Sequence, residues 1–257
     1  MNRKPKIITF ANQKGGVGKT TLCVTFANYL FAKGAEVLVL DCDPQQSVMK
    51  RRKENSRAYE DAVAPYVVSS LNINDATAVE FILTKSLNEP TLDAVLIDLA
   101  GNQENEGTIK VLINSDAIVV PFHYDVICVQ ATCQFLKRYK KLTVGFDTQT
   151  KCRLFMVPNL YDSRVGTSEE VKLWELARMA FSRQGEVTAN VHRRADMERI
   201  NTIANLDRQL PIVEHAFDQV YTYLFGSNDN LREVVLSHIQ HYDAKEERKN
   251  PQSFNNL

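Results

Sequence analysis

"NQKGGVGKTT", residues 12–21, is nearly a common phosphate-binding loop, and the mismatch is informative. The common pattern, G-x-x-x-x-G-K-[ST], calls for a glycine at position 13. Gln13 stands there, and Lys14 follows it, ahead of the expected Lys19. The preceding stretch "KIITFA" (6–11) reads as a strand, and Thr20–Lys33 shows helical spacing of apolar residues. Strand, loop and helix are therefore in register for phosphate binding. Gly15, Gly16 and Gly18, with Val17 between them, let backbone N–H groups close around phosphate oxygens, and the helix N-terminus adds its dipole. Lys19 is expected at the β- and γ-phosphates, Thr20 on Mg²⁺, and Thr21 beside them. A second lysine in the same loop has no role in that scheme.

Outward from the loop, "EVLVLD" (36–41), "DAVLID" (93–98), "AIVVPF" (117–122) and "CRLFMVPN" (152–159) read as strands buried on both faces. Helical patterns at Asp75–Lys85, Val126–Lys141 and Ser168–Arg183 alternate with them. This order predicts a doubly wound, mostly parallel α/β sheet with helices on both faces and ligands at the strands' carboxyl ends. Beyond Gly185 the pattern predicts a strand at Glu186–Val191, a helix near Asp196–Ala204 and helices at Val213–Phe225 and Leu231–Tyr242. From about residue 244 the tail is polar. Neither a repeat nor a linker interrupts the chain, which reads as a single domain, 1–257.

Three carboxylates fall at or just beyond strand ends. Asp41 ends its strand and Asp43 begins the next loop, so a period of two puts both on one face; Pro44 stiffens the turn. Asp98 follows four apolar residues, a costly place for a carboxylate unless a cation needs it, and is expected to hold Mg²⁺ through water.

"KGGVGKTT" resembles the deviant Walker A motif of the ParA/MinD family of P-loop ATPases, and "NQKGGVGKTT" is similar to its ParA-type form. The resemblance is strong over residues 6–48, fair to about 162 and weak beyond. It implies that Lys14 crosses a dimer interface to the partner's nucleotide phosphates, which gives the second lysine its purpose. It also implies that Asp43, in the switch I stretch "DCDPQ", positions the attacking water while Asp41 lies near Mg²⁺; the alternative is that Asp43 only caps the next helix. Relatives often carry prolines after the Walker B aspartate. Here Asp98-Leu99-Ala100-Gly101 fits a D-x-x-G form, whose glycine amide can sense a γ-phosphate. The family reads its base where Asn159 stands. Asn159 and Asp162 superficially fit the N-K-x-D guanine motif, but Leu160 replaces the lysine, so ATP is favoured; a turn-forming Asn after Pro158 is the plainer alternative.

At 257 residues, 44% hydrophobic and 24% charged, the composition is that of a globular protein. Lys+Arg and Asp+Glu are equal at 31 each, so contact with a polyanion would need a local patch. "MKRRK" (49–53), "KRYKK" (137–141) and "VHRRADMER" (191–199) are the basic stretches. ParA-like relatives bind DNA without sequence preference through basic residues in their C-terminal third, a region that Arg193, Arg194 and Arg199 match loosely. No apolar run reaches a membrane span, and the C-terminal pattern is too polar for a MinD-type membrane helix. The phosphate loop begins near residue 12, so the helix-turn-helix region of longer partition ATPases is not expected. The five cysteines show no C-x-x-C pair; they argue against an iron–sulfur branch and for reduced thiols and a cytoplasmic protein.

The resemblance thus implies a homodimer formed on ATP·Mg²⁺, slow hydrolysis stimulated by a ParB-like or other activating protein, and a role in plasmid or mobile-element partition with non-specific DNA binding. The alternative is a switch that positions or assembles a protein complex, such as conjugation or secretion machinery, without DNA. A metabolic P-loop enzyme of the wider superfamily would need a substrate domain that the sequence does not show.

Overall fold

The apolar runs become the strands of one sheet, and their order places the loop. In the computed structural model, described over residues 4–60, 62–101, 105–144, 152–203 and 208–226, the strands are β1 (Lys6–Phe10), β2 (Val37–Asp41), β3 (Val67–Ser70), β4 (Ala94–Asp98), β5 (Ala117–Phe122), β6 (Arg153–Pro158) and β7 (Glu186–Val187). They lie in the order β3-β2-β4-β1-β5-β6-β7, and every pairing is parallel. The helices are α1 (Lys19–Ala32), α2 (Ser47–Ala58), α3 (Ala76–Leu87), α4 (Glu106–Asn114), α5 (Val126–Val144), α6 (Ser168–Ser182) and α7 (Leu210–Phe225). β4 and β5 flank β1, so the winding reverses there, and the crevice outside β1 is where an open α/β sheet takes a ligand.

Each sheet face has its own core. On one, α1 and α7 cover β1 and β4, with Phe26 and Phe217 edge to face at 4.8 Å. Nine of the fourteen residues of α1 are buried, so the helix behind the loop is apolar on nearly every side and cannot drift. On the other face α3, α4, α5 and α6 supply Val79, Val111, Leu136 and Phe181.

Three elements lacked a sequence signal. α2 buries only Val48 and has no apolar stripe, β3 is a short, largely exposed edge strand, and α4 runs nine residues with a glycine inside. That glycine, Gly107, is required by packing, because a Cβ there would lie 2.1 Å from the Ile73 carbonyl oxygen.

Two expectations are corrected. The strand foreseen at Glu186–Val191 stops at Val187, where the Arg178 guanidinium takes the carbonyls of Val187 and Thr188. The helix foreseen near Asp196–Ala204 is a single 3-10 turn, Ala195–Glu198. Beyond it Thr202 and Asn201 bond to Asn55 and Tyr59 of the α2 region instead of continuing the helix. The helix foreseen at Leu231–Tyr242 and the polar tail lie outside the described residues.

Candidate functional site

β1 and α1 set the two ends of the loop. Gly16 and Gly18 have φ of 75° and 90°, conformations that side chains resist, and Gly18 caps α1 without a side-chain acceptor. No acidic residue sits in the first turn of α1, so its amides keep their attraction for an anion. Gly15 and Gly16 are exposed with nothing within 4 Å of a built Cβ, whereas Val17 is buried and pins the loop to the core.

Asn159, at the end of β6, reaches across: its Nδ2 donates to the Val17 carbonyl at 2.9 Å. A Cβ on Gly18 would lie 2.3 Å from that nitrogen, so a larger residue there would have to displace the Asn159 carboxamide as well as adopt the positive φ. The side chain expected to read a base is thus, in this structure, a strut of the loop.

Beneath the loop, β2 and β4 set Asp41 and Asp98 side by side as register partners. The Thr20 hydroxyl donates to Asp98 Oδ2 at 2.7 Å, and Asp98 Oδ1 is buried with no partner. Burial raises the Asp98 carboxyl to about 7, against the Thr20 hydrogen bond and the Lys19 charge, which pull it down. The Lys19 ammonium donates to the Lys14 carbonyl at 3.3 Å, and burial lowers its pKa, with Asp98 and Asp43 opposing. Thr21 lies beside Thr20 on the first turn, and Thr25 reaches back to its carbonyl.

Asp41 is otherwise engaged. Its Oδ2 accepts the amides of Val48 and Met49 at 2.9 and 3.0 Å, and its Oδ1 accepts the Asp43 amide at 3.2 Å. The residue expected near Mg²⁺ therefore ties down the start of α2. Helix capping, weighed for Asp43, is done by Asp41. Asp43 folds its own turn by accepting the Gln45 amide at 2.8 Å. Among the described residues no group of three His, Cys, Asp or Glu could hold a metal alone.

Gly101 presses on the loop from the β4 side: a Cβ there would lie 2.9 Å from the Gln13 carbonyl oxygen. Sequence reading singled out this glycine for another reason and missed the contact, because Gln13 and Gly101 are distant in the chain. It also missed a cavity of about 570 Å³ beside Asn159, lined by Tyr124, Tyr161, Trp174 and Arg193. Tyr124 stacks on Trp174 at 5.4 Å.

The basic residues differ in their settings. Arg193 borders that cavity, Arg194 is exposed, and Arg199 pairs with Asp196 at 3.8 Å. In "MKRRK", Arg52 points inward to Thr202 and the Tyr66 carbonyl, leaving Lys50, Arg51 and Lys53 outside. All five cysteines are free, three of them buried.

A profile of the CobQ/CobB/MinD/ParA nucleotide-binding domain matches residues 8–215. The chain belongs to this family. It is 28% identical over 193 residues to the chromosome-partitioning ATPase Soj of Thermus thermophilus, covering 67% of this chain and 76% of that one. A plasmid partition protein of Borrelia burgdorferi, solved with AMPPNP, superposes with a TM-score of 0.66 at 19% identity, over 86% of this chain and 100% of that one. Cobyrinic acid a,c-diamide synthase of Mycobacterium smegmatis, solved with ADP and magnesium, gives 0.58 at 19% identity, over 87% and 97%. The fold is that of the ParA/MinD P-loop ATPases. No helix among the described residues is long and apolar enough to cross a membrane.

Proposed function

We propose that this family member binds ATP with Mg²⁺, dimerises around it and hydrolyses it slowly, as a cytoplasmic partition ATPase for DNA, most simply that of a plasmid or mobile element. The observation that carries the reading is the Thr20–Asp98 pair, whose one unpartnered, buried carboxylate oxygen lies under an open glycine loop. An orphaned buried oxygen is costly unless a ligand completes it.

In this reading Thr20 and Asp98 hold Mg²⁺, which supplies charge neutralisation at the β- and γ-phosphates when bound. Gly15 to Gly18 present amides to the phosphates, and Lys19 places its charge there. Lys14, on the exposed rim, serves the partner's nucleotide, so that binding and dimerisation become one event. Asp43 orients the attacking water and Asp41 keeps the turn that carries Asp43. A ParB-like or other activator completes this geometry, and the ATP-bound dimer holds DNA through backbone contacts at Arg193, Arg194 and Arg199. Nucleotide-dependent hydrolysis and self-association, followed with and without magnesium, test it.

A second reading, a switch for a protein assembly, draws on α6. Leu173, Leu176 and Met179 are each more than half exposed along one side of it, a face suited to protein and not to DNA. Binding of random-sequence duplex with ATP separates the two.

A further inference from the structure

Asn12 sits at the joint between β1 and the loop and is 2% exposed. Its Nδ2 donates to the Pro121 carbonyl at 2.7 Å and to Thr132 Oγ1 at 2.9 Å, and its Oδ1 accepts the Lys14 amide at 3.3 Å. The Thr132 hydroxyl gives its own proton to the Cys128 carbonyl at 2.8 Å, so it can only accept from Asn12. That fixes the carboxamide's orientation, nitrogen toward β5 and α5 and oxygen toward the loop. An unbroken relay, buried from Asn12 inward, thus runs from the peptide of Lys14 to the first turns of α5. From the other side Gly101 closes on the carbonyls of Gln13 and Asn12, with a built Cβ 2.9 and 3.6 Å away.

We propose that Asn12 is the positioning residue for Lys14: its carboxamide clamps the Lys14 peptide to β5 and α5, so that the exposed side chain leaves the loop in one direction. A lysine on a glycine-rich rim otherwise carries both its own rotamer freedom and that of the backbone beneath it. Clamping the peptide removes the second before a partner arrives, which is how preorganisation strengthens association. The proposal rests on the reading that Lys14 serves a second subunit. It adds that α5 governs how well Lys14 does so. Asn12 touches neither the Lys19 ammonium nor the Thr20–Asp98 pair, and it meets Lys19 only through Lys14, whose carbonyl accepts from that ammonium; losing the clamp should therefore affect dimerisation far more than nucleotide binding by the single subunit.

Sedimentation of Asn12→Ala, Thr132→Val and Thr132→Ser with a non-hydrolysable ATP analogue and magnesium, beside fluorescent-nucleotide titration, tests the clamp. Loss of one buried hydrogen bond predicts dimerisation weakened about tenfold in Thr132→Val and further in Asn12→Ala. Thr132→Ser, which keeps the hydroxyl, restores the parental value. Nucleotide affinity stays within about twofold in all three, and in hydrolysis kcat falls while KM holds. If Asn12→Ala does not fold, the Thr132 pair decides alone. Parental dimerisation in Asn12→Ala and Thr132→Val, while Lys14→Ala fails to dimerise, overturns the clamp and leaves the cross-subunit reading standing. Lys14→Ala dimerising normally overturns both. Nucleotide affinity falling in step with dimerisation reduces Asn12 to general loop support and also overturns the proposal.

Discussion

The Thr20 hydroxyl donates to Asp98 Oδ2 at 2.7 Å, while Asp98 Oδ1, equally buried, has no partner. The carboxylate is thus half satisfied in a place where ionisation is expensive. It keeps its proton to about pH 7 in the folded protein, against 3.8 for the ordinary side chain. Between those values the folded state binds more protons than the unfolded one, so stability falls as pH rises through the window and levels off above it.

Asp98→Asn should therefore be more heat-stable than the parent in magnesium-free buffer. The gain should be larger by about 2–3 kcal/mol at pH 8 than at pH 5. Calorimetry across that range checks it. An equal or smaller gain at pH 8 contradicts the buried-charge account. The same variant should lose magnesium-dependent stabilisation by nucleotide.

Gly18→Ala should cost about 2–4 kcal/mol, part from the positive φ and part from the clash with Asn159. In an Asn159→Ala background the steric part vanishes and about 1 kcal/mol remains. A double-mutant cycle by urea unfolding measures this coupling. Additive costs would show that Asn159 does not crowd the Gly18 position.

Lys19→Ala should lower nucleotide affinity by about a hundredfold or more, since it removes the point charge at the phosphates. Fluorescent-nucleotide titration reads it directly, and unchanged affinity removes the loop assignment.

Asp43→Ala should bind ATP and self-associate yet hydrolyse at least about tenfold more slowly, even with an activator present. The Gln45 amide loses its acceptor, but the start of α2 stays on Asp41, so the fold holds. Hydrolysis at the parental rate would move the water-positioning role elsewhere. Because this dimer persists, it is also the form in which DNA binding is tested. Charge reversal at Arg193 and Arg194 should weaken its salt-sensitive binding to random duplex and leave nucleotide affinity alone. No DNA binding at low salt would transfer the reading to the protein-assembly switch.

The sheet and the loop were legible because their signals are local. Buried parallel strands such as "AVLID" are continuous apolar runs, and a phosphate loop must follow a strand and open a helix. α2 was not legible, since a helix burying only Val48 has no stripe to detect. The contacts of Asp41 and Asn159 were not legible for a related reason. Spacing places a side chain on a face, but which amide it meets depends on contacts such as Asn159 to Val17, 142 positions apart. Asn12 sat in the first quoted stretch without notice, because its partners, Pro121 and Thr132, lie far along the chain.

The central claim is that one loop lysine serves its own subunit's nucleotide and the other serves the partner's. Light scattering of Lys14→Ala with a non-hydrolysable ATP analogue and magnesium tests it most directly. The account predicts a parental protein that doubles its mass, and a variant that stays monomeric while binding the analogue within about threefold of the parent. A Lys14→Ala protein that doubles its mass at the parental concentration would contradict it.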